Sequence, residues 1–183
     1  MAIAAPGEVL DFWFKETDPK LWFANDAALD ARIAARFEEI WRAARDGKLE
    51  DWKTRADGAL ALVIVFDQFS RNMFRGKAEA FSTDALARVA ADRAIRHKFD
   101  LEMPVSVRAF FYLPFMHSEN LQDQNRSVAL IGERVGKGSS NYPFATSHRD
   151  VIARFGRFPA RNQALGRTST PEEAAFLAGK PAP

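Results

Sequence analysis

Apolar residues recur at helical spacing along most of the chain. In the first clear stretch, from Asp26 to Gly47, one helix face carries Leu29, Ile33, Phe37, Ile40, Trp41 and Ala44. Asn25 or Asp26 is a suitable N-cap for this helix, and Gly47 lies where a helix C-cap is common. The run from Leu60 to Phe66 is rich in β-branched residues, but its helical surroundings and the lack of a partner strand favour a buried central helix.

Cap residues and prolines divide the rest of the chain into further helices. Ser82 or Thr83 opens an Ala-rich helix that ends near His97, and Thr170 begins a capping box that starts a C-terminal helix. Between them, helices are predicted at residues 107–121, 125–135 and 147–155. Pro114 should kink or break the first of these, because proline removes a backbone hydrogen bond. The pattern predicts an all-α fold of stacked antiparallel helical hairpins, at residues 26–69, 82–121 and 125–155.

The length and the composition fit one domain. Residues 1–183 are predicted to form a single helical domain, with residues 179–183 as a frayed tail. The absence of cysteine excludes disulfides, thiolate metal sites and a cysteine nucleophile, and it fits the cytoplasm. Residues 1–6 lack the features of a signal peptide, and charges interrupt every later apolar run before about 18 residues. The sequence therefore predicts a cytoplasmic protein with no membrane-spanning segment.

The charge distribution limits the kinds of partner. Twenty-six Lys and Arg against 24 Asp and Glu give a net charge of only +2, which argues against nucleic-acid binding. The segment from Arg149 to Arg167 differs, because it holds five Arg and one acid, Asp150. This excess fits either a small anionic molecule or acidic peptide as partner, or a solvated surface. The oligomeric state is not predicted by any of these features.

Two segments combine Phe with an Arg-Asn pair, namely residues 67–76 and 154–162. A guanidinium group beside an amide can hold a carboxylate or a phosphate. The candidate ligand-binding residues in these segments are Asp67, Arg71, Asn72, Arg75, Arg157, Arg161 and Asn162. In the alternative interpretation, Asp67 and Arg71 pair on one helix face and the second Arg-Asn caps helix carbonyls. We further expect the two segments to fold together, with Arg71 and Arg161 facing a shared polar pocket near Glu119.

A second group of candidates lies around Pro114. Arg108, Tyr112 and Glu119 would share one stripe with Phe115 if the helix continued through the proline, which makes these three polar residues further candidates for ligand binding. 

Histidines supply the candidate acid–base groups. His117 lies two residues before Glu119, about 200° away around a helix, so the two form an acid–base pair only if the break at Pro114 reorients them. His148 is predicted in the first turn of its helix, where the helix dipole would lower the pKa of its imidazole. His117, Glu119 and His148 are the catalytic candidates. They are too few and too scattered for a metal site, and no cofactor motif is present.

Five segments together resemble the uncharacterised bacterial family known as domain of unknown function 924. They are residues 9–14, 67–76, 114–119, 154–162 and 166–173, which span nearly the whole chain in the right order. The resemblance implies a fold similar to tetratricopeptide-type helical hairpins, and it brings no established activity or catalytic residues. Ser70 stands where the family pattern often has Pro, and Ala160 where it often has His. The second departure favours binding over catalysis.

Two classes of function follow, the first as the leading interpretation and the second as its alternative. The first is a binding or interaction protein that holds an acidic small molecule or a peptide carboxylate in an Arg-lined groove between helices. The second is a small hydrolase-type enzyme that uses His117 or His148 as general base, with Glu119 as the orienting partner. Geometry separates them: both histidines and Glu119 lining one cleft with the Arg residues would favour the enzyme, whereas a His117 buried among Phe side chains would favour the binder.

Overall fold

A computed structural model describes residues 5–179, and every regular element in that range is helical. Residues 1–4 and 180–183 lie outside the described residues, and with them most of the N-terminal segment and of the tail predicted to fray. The all-α prediction is confirmed for the described chain. No helix within it is long and apolar enough to cross a membrane.

The α-helices of residues 5–179 are α1 Pro6–Asp11, α2 Ala27–Arg45, α3 Ala56–Val63, α4 Ser70–Met73, α5 Asp84–Arg96, α6 Phe99–Glu102, α7 Val105–Arg108, α8 Leu113–Met116, α9 Leu121–Ile131, α10 Asn141–Phe155 and α11 Pro171–Ala178. Three of them continue directly into π-helical turns, at Phe12–Glu16, Ile64–Phe69 and Gly132–Gly136. Short 3₁₀ turns occupy Pro19–Leu21, Glu50–Thr54, Ala78–Phe81, Ala109–Phe111 and Pro159–Arg161.

The sequence signals at the ends of α2 act as predicted. The Asp26 side chain accepts a hydrogen bond of 2.8 Å from the Leu29 amide, which satisfies one of the unpaired donors of the first turn. The helix ends at Arg45, and Gly47 follows with a φ of +75°, a conformation that glycine adopts without strain. The predicted apolar stripe of α2 is buried.

The central helix comprises α3 and the π-helical turn that follows it. Every residue from Gly58 to Ser70 is buried, and the segment packs against α1, α2 and α5. Leu60 to Phe66 therefore lies inside a helix, as predicted. Burial on all sides explains why this run has no helical periodicity in the sequence.

The helix predicted at 107–121 is broken into shorter pieces. Proline has no N–H to donate and is favoured in the first turn of a helix, and Pro114 accordingly stands at the second position of the separate helix α8. Arg108, Tyr112 and Glu119 consequently do not share one stripe with Phe115. The shared stripe was expected only if the helix continued through Pro114, and the predicted break at this proline rules it out.

Two later helices begin earlier than predicted. Asn120 caps α9, since its side chain accepts hydrogen bonds from the amides of Gln122 and Asp123 at 2.8 and 3.2 Å. Helix α10 begins at Asn141 instead of residue 147. His148 therefore lies in the middle of α10, and the prediction that it sits in the first turn, under the influence of the helix dipole, is wrong.

Candidate functional site

The candidate site is built around the carboxylate of Asp67, which lies in the π-helical turn after α3 and is completely buried. His117 Nδ1 lies 2.8 Å from Asp67 Oδ1 and 3.0 Å from Oδ2, and Gln68 Nε2 donates to Oδ2 at 2.6 Å. Arg71 Nη1 lies 3.2 Å from Oδ1. Burial alone would raise the pKa of Asp67, but His117 and Arg71 outweigh it and hold this pKa well below its ordinary value. Asp67 is therefore a buried carboxylate ion.

The turn that carries Asp67 is fixed by side chains that bond its carbonyl groups. The Phe66 carbonyl accepts hydrogen bonds from Ser70 Oγ at 2.6 Å and from Thr83 Oγ1 at 2.7 Å. The Asp67 carbonyl accepts one from Arg71 Nη1 at 2.7 Å. A π-helical turn within an α-helix is uncommon and is frequent at functional sites. Here it places Asp67 beside the end of α8.

His117 follows α8 directly, and its side chain is 16% exposed. Since Asp67 is ionised, the short contact to Nδ1 is a hydrogen bond in which the imidazole donates, so the lone pair of the neutral ring is on Nε2. Within residues 5–179, Asp67 is the hydrogen-bond partner of the His117 ring. Burial lowers the pKa of His117, Asp67 raises it, and the neighbouring Arg71 lowers it again, with a net shift below its ordinary value. The ring is therefore neutral at pH 7.

The two Arg-Asn segments meet at Asp84, the first residue of α5. Arg71 binds Asp84 through two hydrogen bonds of 2.9 and 3.1 Å. Arg161 reaches the same carboxylate with a single contact of 3.3 Å, and it donates to the His117 carbonyl at 2.8 Å. Arg71 and Arg161 thus face a shared polar cluster. This cluster is centred on Asp84 and Asp67, and Glu119 is close enough to interact electrostatically with Arg161.

Arg161 also packs against aromatic rings. Its guanidinium carbon lies 4.7 Å from the ring centroid of Phe81 and 4.5 Å from that of Phe158. Burial lowers the pKa of Arg161 to about 10, and repulsion from Arg71 contributes to the same shift. Arg161 stays protonated at neutral pH, in surroundings that compensate its charge incompletely.

Glu119 holds the C-terminal segment and does not orient His117. Its carboxylate accepts a hydrogen bond from the Phe158 amide at 2.8 Å and two from Arg167 at 2.7 and 2.9 Å. Burial tends to raise the pKa of Glu119, but these bonds lower it below the ordinary value. The expectation that Glu119 orients a catalytic histidine is therefore wrong, because the chain leaves α8 with this side chain facing residues 158–167. The carboxylate that contacts the His117 ring is that of Asp67.

His148 adds a second imidazole beside the cluster. Its ring centroid lies 6.2 Å from that of His117 and 5.4 Å from that of Phe158. Its Nδ1 atom lies 2.9 Å from the carbonyl of Phe144, one turn earlier in α10. The two candidate histidine rings thus lie close together, and Phe158 contacts both His148 and Arg161.

The remaining candidates of the Arg-Asn segments form ion pairs that join distant parts of the chain. Arg75 and Asn72 both bind Asp30 of α2, with the contact between Arg75 Nε and Asp30 Oδ2 at 2.6 Å. Arg157 and Asn162 both bind Glu173 of α11, with the contact between Arg157 Nε and Glu173 Oε1 at 2.6 Å. These residues have partners within the described chain and connect helices.

Arg108 and Tyr112 belong to a different cluster, centred on the buried carboxylate of Asp100. Tyr112 and Arg134 both donate to Asp100 Oδ2, and the second of these contacts is 2.6 Å long. Arg108 donates to the carbonyls of Asp100, Met103 and Arg134. Burial is the main reason that the pKa of Tyr112 is raised above its ordinary value. These contacts hold α6, α7 and the π-helical turn after α9 together, apart from His117.

The sequence interpretation missed Asp84 and the contact between Asp67 and His117. An acid at the first position of a predicted helix is expected there for the helix dipole alone, so Asp84 carried no sign of its partners. Asp67 and His117 are 50 residues apart. Over residues 5–179, no three His, Asp or Glu side chains are grouped so as to hold a metal ion.

Comparisons with known proteins give a family and a solved relative. A family model described as "Bacterial protein of unknown function (DUF924)" matches residues 9–180. Among solved structures, a protein of unknown function from Agrobacterium tumefaciens, ATU0120, is similar to this chain. The two are 42% identical and superpose with a TM-score of 0.90, which covers 96% of this chain and 97% of that one. No curated protein matches the sequence significantly.

Proposed function

The chain belongs to the DUF924 family of bacterial proteins, and from its site we propose that it is a small acid–base enzyme of the hydrolase type. In this proposal His117 is the general base and Asp67 orients it. The observation that carries the proposal is the contact of 2.8 Å between the fully buried carboxylate of Asp67 and Nδ1 of His117.

A buried carboxylate on Nδ1 gives a histidine three properties that general-base catalysis needs. It fixes the tautomer, it fixes the ring orientation, and it stabilises the imidazolium that forms when Nε2 takes up a proton. His117 has a lowered pKa, so at neutral pH its Nε2 is ready to accept a proton. The 16% exposure of its side chain leaves the ring accessible to a small molecule.

Water is the nucleophile in the proposed reaction. The chain has no cysteine, and the hydroxyl of Ser118, next to His117, donates to Asp123 at 2.7 Å. His117 Nε2 removes a proton from a water molecule while the water oxygen bonds to the carbonyl carbon or the phosphorus atom of the substrate. The imidazolium then returns this proton to the leaving group as its bond breaks. A correctly placed general base contributes about 10² to 10⁴-fold to such a rate.

A protein that only binds an acidic small molecule or peptide is the second candidate. It is favoured by one observation, namely that Arg71 and Arg161 share the single carboxylate of Asp84. Both candidate functions would use the same face of the molecule. For both, we propose that the protein acts in the cytoplasm and that its fold is similar to tetratricopeptide hairpins. They differ in whether a bound molecule is converted.

Hydrolysis of nitrophenyl esters of carboxylic and phosphoric acids tests the proposal. We expect the wild type to hydrolyse at least one class, and His117→Gln to lower the rate by about 100-fold or more, because the general base is lost. His97→Gln is the matched control, since His97 is exposed and stacks on Phe99. It should hydrolyse as the wild type does. Wild-type activity in His117→Gln would show that His117 is not the general base. Saturable binding of acids by a wild type that hydrolyses neither class would replace the enzyme with the binding protein.

A further inference from the structure

We propose that Arg161 is the receptor for an anionic oxygen group of the substrate, a carboxylate or a phosphate, which it holds beside His117. The inference rests on the acid–base function proposed above, and it names the class of substrate on which that function acts.

Arg161 has hydrogen-bond donors that its partners in the chain leave unused. A guanidinium group carries five N–H donors in a fixed plane. Within the described chain, Arg161 uses one for Asp84 at 3.3 Å and one for the His117 carbonyl at 2.8 Å. The Arg161 side chain is 13% exposed, so part of it reaches solvent. The remaining donors are available for an external oxygen.

Three other arginines in or near the two Arg-Asn segments each have a carboxylate partner of their own. Arg75 has two contacts with Asp30, Arg157 has two with Glu173, and Arg167 has two with Glu119. Each of the three therefore has a carboxylate that holds it with a pair of hydrogen bonds.

Arg161 lacks such a partner among residues 5–179. Its contact with Asp84 is single and long, because the same carboxylate already binds Arg71 at 2.9 and 3.1 Å. Two guanidinium groups on one carboxylate repel each other, and this repulsion together with burial lowers the pKa of Arg161 to about 10. A bound anion would offset both the repulsion between the two guanidinium groups and the cost of burying the charge of Arg161. A bound cation or neutral group would offset neither.

The position of the Arg161 guanidinium group would place a bound anion beside His117. The rings of Phe81 and Phe158 pack on the guanidinium of Arg161, which restricts the approach of a ligand to the edge where the N–H groups point. A carboxylate or a phosphate matches that edge with two oxygens. Because Arg161 also binds the carbonyl of His117, an anion held there lies next to the imidazole. The rest of the substrate is then presented to the proposed general base.

Titration with inorganic phosphate and with acetate tests this inference in four proteins. The readouts are the melting temperature and the NMR signals of the His117 ring. In the wild type we expect saturable binding that raises the melting temperature and shifts the His117 signals. Arg161→Gln should weaken this binding by tenfold or more. Asp84→Asn should strengthen it, because the variant removes the internal acid that competes for Arg161. Arg75→Gln is the matched control and should bind as the wild type does.

The variants change binding in opposite directions, so a loss of folding in Arg161→Gln would leave Asp84→Asn as an independent test. Tighter binding of phosphate than of acetate would indicate a phosphate ester as substrate, and the reverse a carboxylate. Unchanged binding in Arg161→Gln, or weaker binding in Asp84→Asn, would overturn the inference. If ester hydrolysis depends on His117 but no anion binds, only the role of Arg161 as receptor is refuted, and the proposed enzyme stands. Anion binding without hydrolysis would refute only the proposed enzyme.

Discussion

The properties of His117 depend on one residue, Asp67, and on the burial of both. Burial lowers the pKa of the imidazole, while the carboxylate of Asp67 partly restores it. The result is a ring that is neutral at pH 7 and has its proton on the nitrogen facing Asp67. Burial and the nearby Arg71 thus oppose Asp67, and removing any one of these influences changes the pKa of His117 in a known direction.

NMR titration of the histidine rings tests this balance. We expect His117 to titrate below 6.5, the ordinary histidine value, because burial is the larger effect. In Asp67→Asn the raising influence of the carboxylate is lost, so the pKa of His117 should fall further. The signals of the exposed His97 provide the control in each spectrum and should be the same in both proteins. A His117 that titrates above 6.5, or whose pKa rises in Asp67→Asn, would contradict this account.

The same shifts predict how stability depends on pH. A histidine whose pKa is lower in the folded state takes up its proton preferentially when unfolded, so its contribution is lost as the pH falls below 6.5. The pKa of Asp67 is also lowered, so its contribution is present above the ordinary value of 3.8 and declines as the pH falls below it. Urea unfolding between pH 7 and pH 3 should show stability falling in both ranges. Asp67→Asn should make the decline in the lower range shallower, while Glu119, whose pKa is also lowered, still contributes to it. An equally steep decline in the variant would contradict the assignment.

At the residue scale, the chemistry of single residues could be predicted from the sequence but their partners could not. The expectation that Arg71 lies near Asp67 rested on a helical spacing of four, and the structure places these two 3.2 Å apart. The contact between Arg161 and Asp84 spans 77 residues, and no local pattern points to it. Most of the arginines that were candidates for binding an external anion instead bind carboxylates of this chain.

At the scale of the elements, helix interiors could be predicted more surely than helix ends. The spacing of the apolar residues in α2 predicted both which face of the helix is buried and how long the helix is. The start of α10 was missed because Phe144, in its first turn, is exposed, so the apolar pattern begins later than the helix. The break at Pro114 was predicted from the missing N–H of proline, but the three short pieces that replace the long helix required the tertiary structure.

Close packing of the central helix gives a prediction at this scale. A Cβ atom on Gly58 of α3 would overlap the backbone carbonyl of Trp52, which cannot move aside as a side chain could. Gly58→Ala should therefore destabilise the fold by about 1 to 3 kcal/mol, the usual cost of overpacking. Gly7 of α1 has open space at the same position, so Gly7→Ala should be neutral or should stabilise by up to about 1 kcal/mol. Urea unfolding of both variants checks this, and equal effects would contradict it.

At the scale of the whole molecule, the candidate site joins four separate parts of the chain. Asp67 follows α3, Asp84 begins α5, His117 follows α8, and Arg161 lies between α10 and α11. The first three belong to the part of the molecule that is packed around the central helix. The fourth is brought in by the C-terminal segment, residues 156–179, so the site is complete only when that segment is docked.

The C-terminal segment docks with little apolar burial. Its buried residues are Phe158, Pro159, Asn162 and Glu173. Contacts between charged side chains supply much of the remaining attachment of this segment, in particular the paired hydrogen bonds between Arg167 and Glu119. A segment with so few buried apolar groups is expected to open more readily than the central helix.

Hydrogen exchange of Glu119→Gln tests whether this ion pair docks the segment. The glutamine keeps an oxygen for the Phe158 amide but loses the charge that holds Arg167, so amides of residues 158–178 should exchange about tenfold faster. The exchange rates of the amides in α2 and α3 should be the same as in the wild type, because the contacts of these helices lie elsewhere. Glu172→Gln is the matched control, since its contact with Arg154 is exposed and should contribute little. Faster exchange throughout the molecule would mean that Glu119 supports the whole fold, and unchanged exchange in residues 158–178 would show that the apolar contacts of Phe158 suffice.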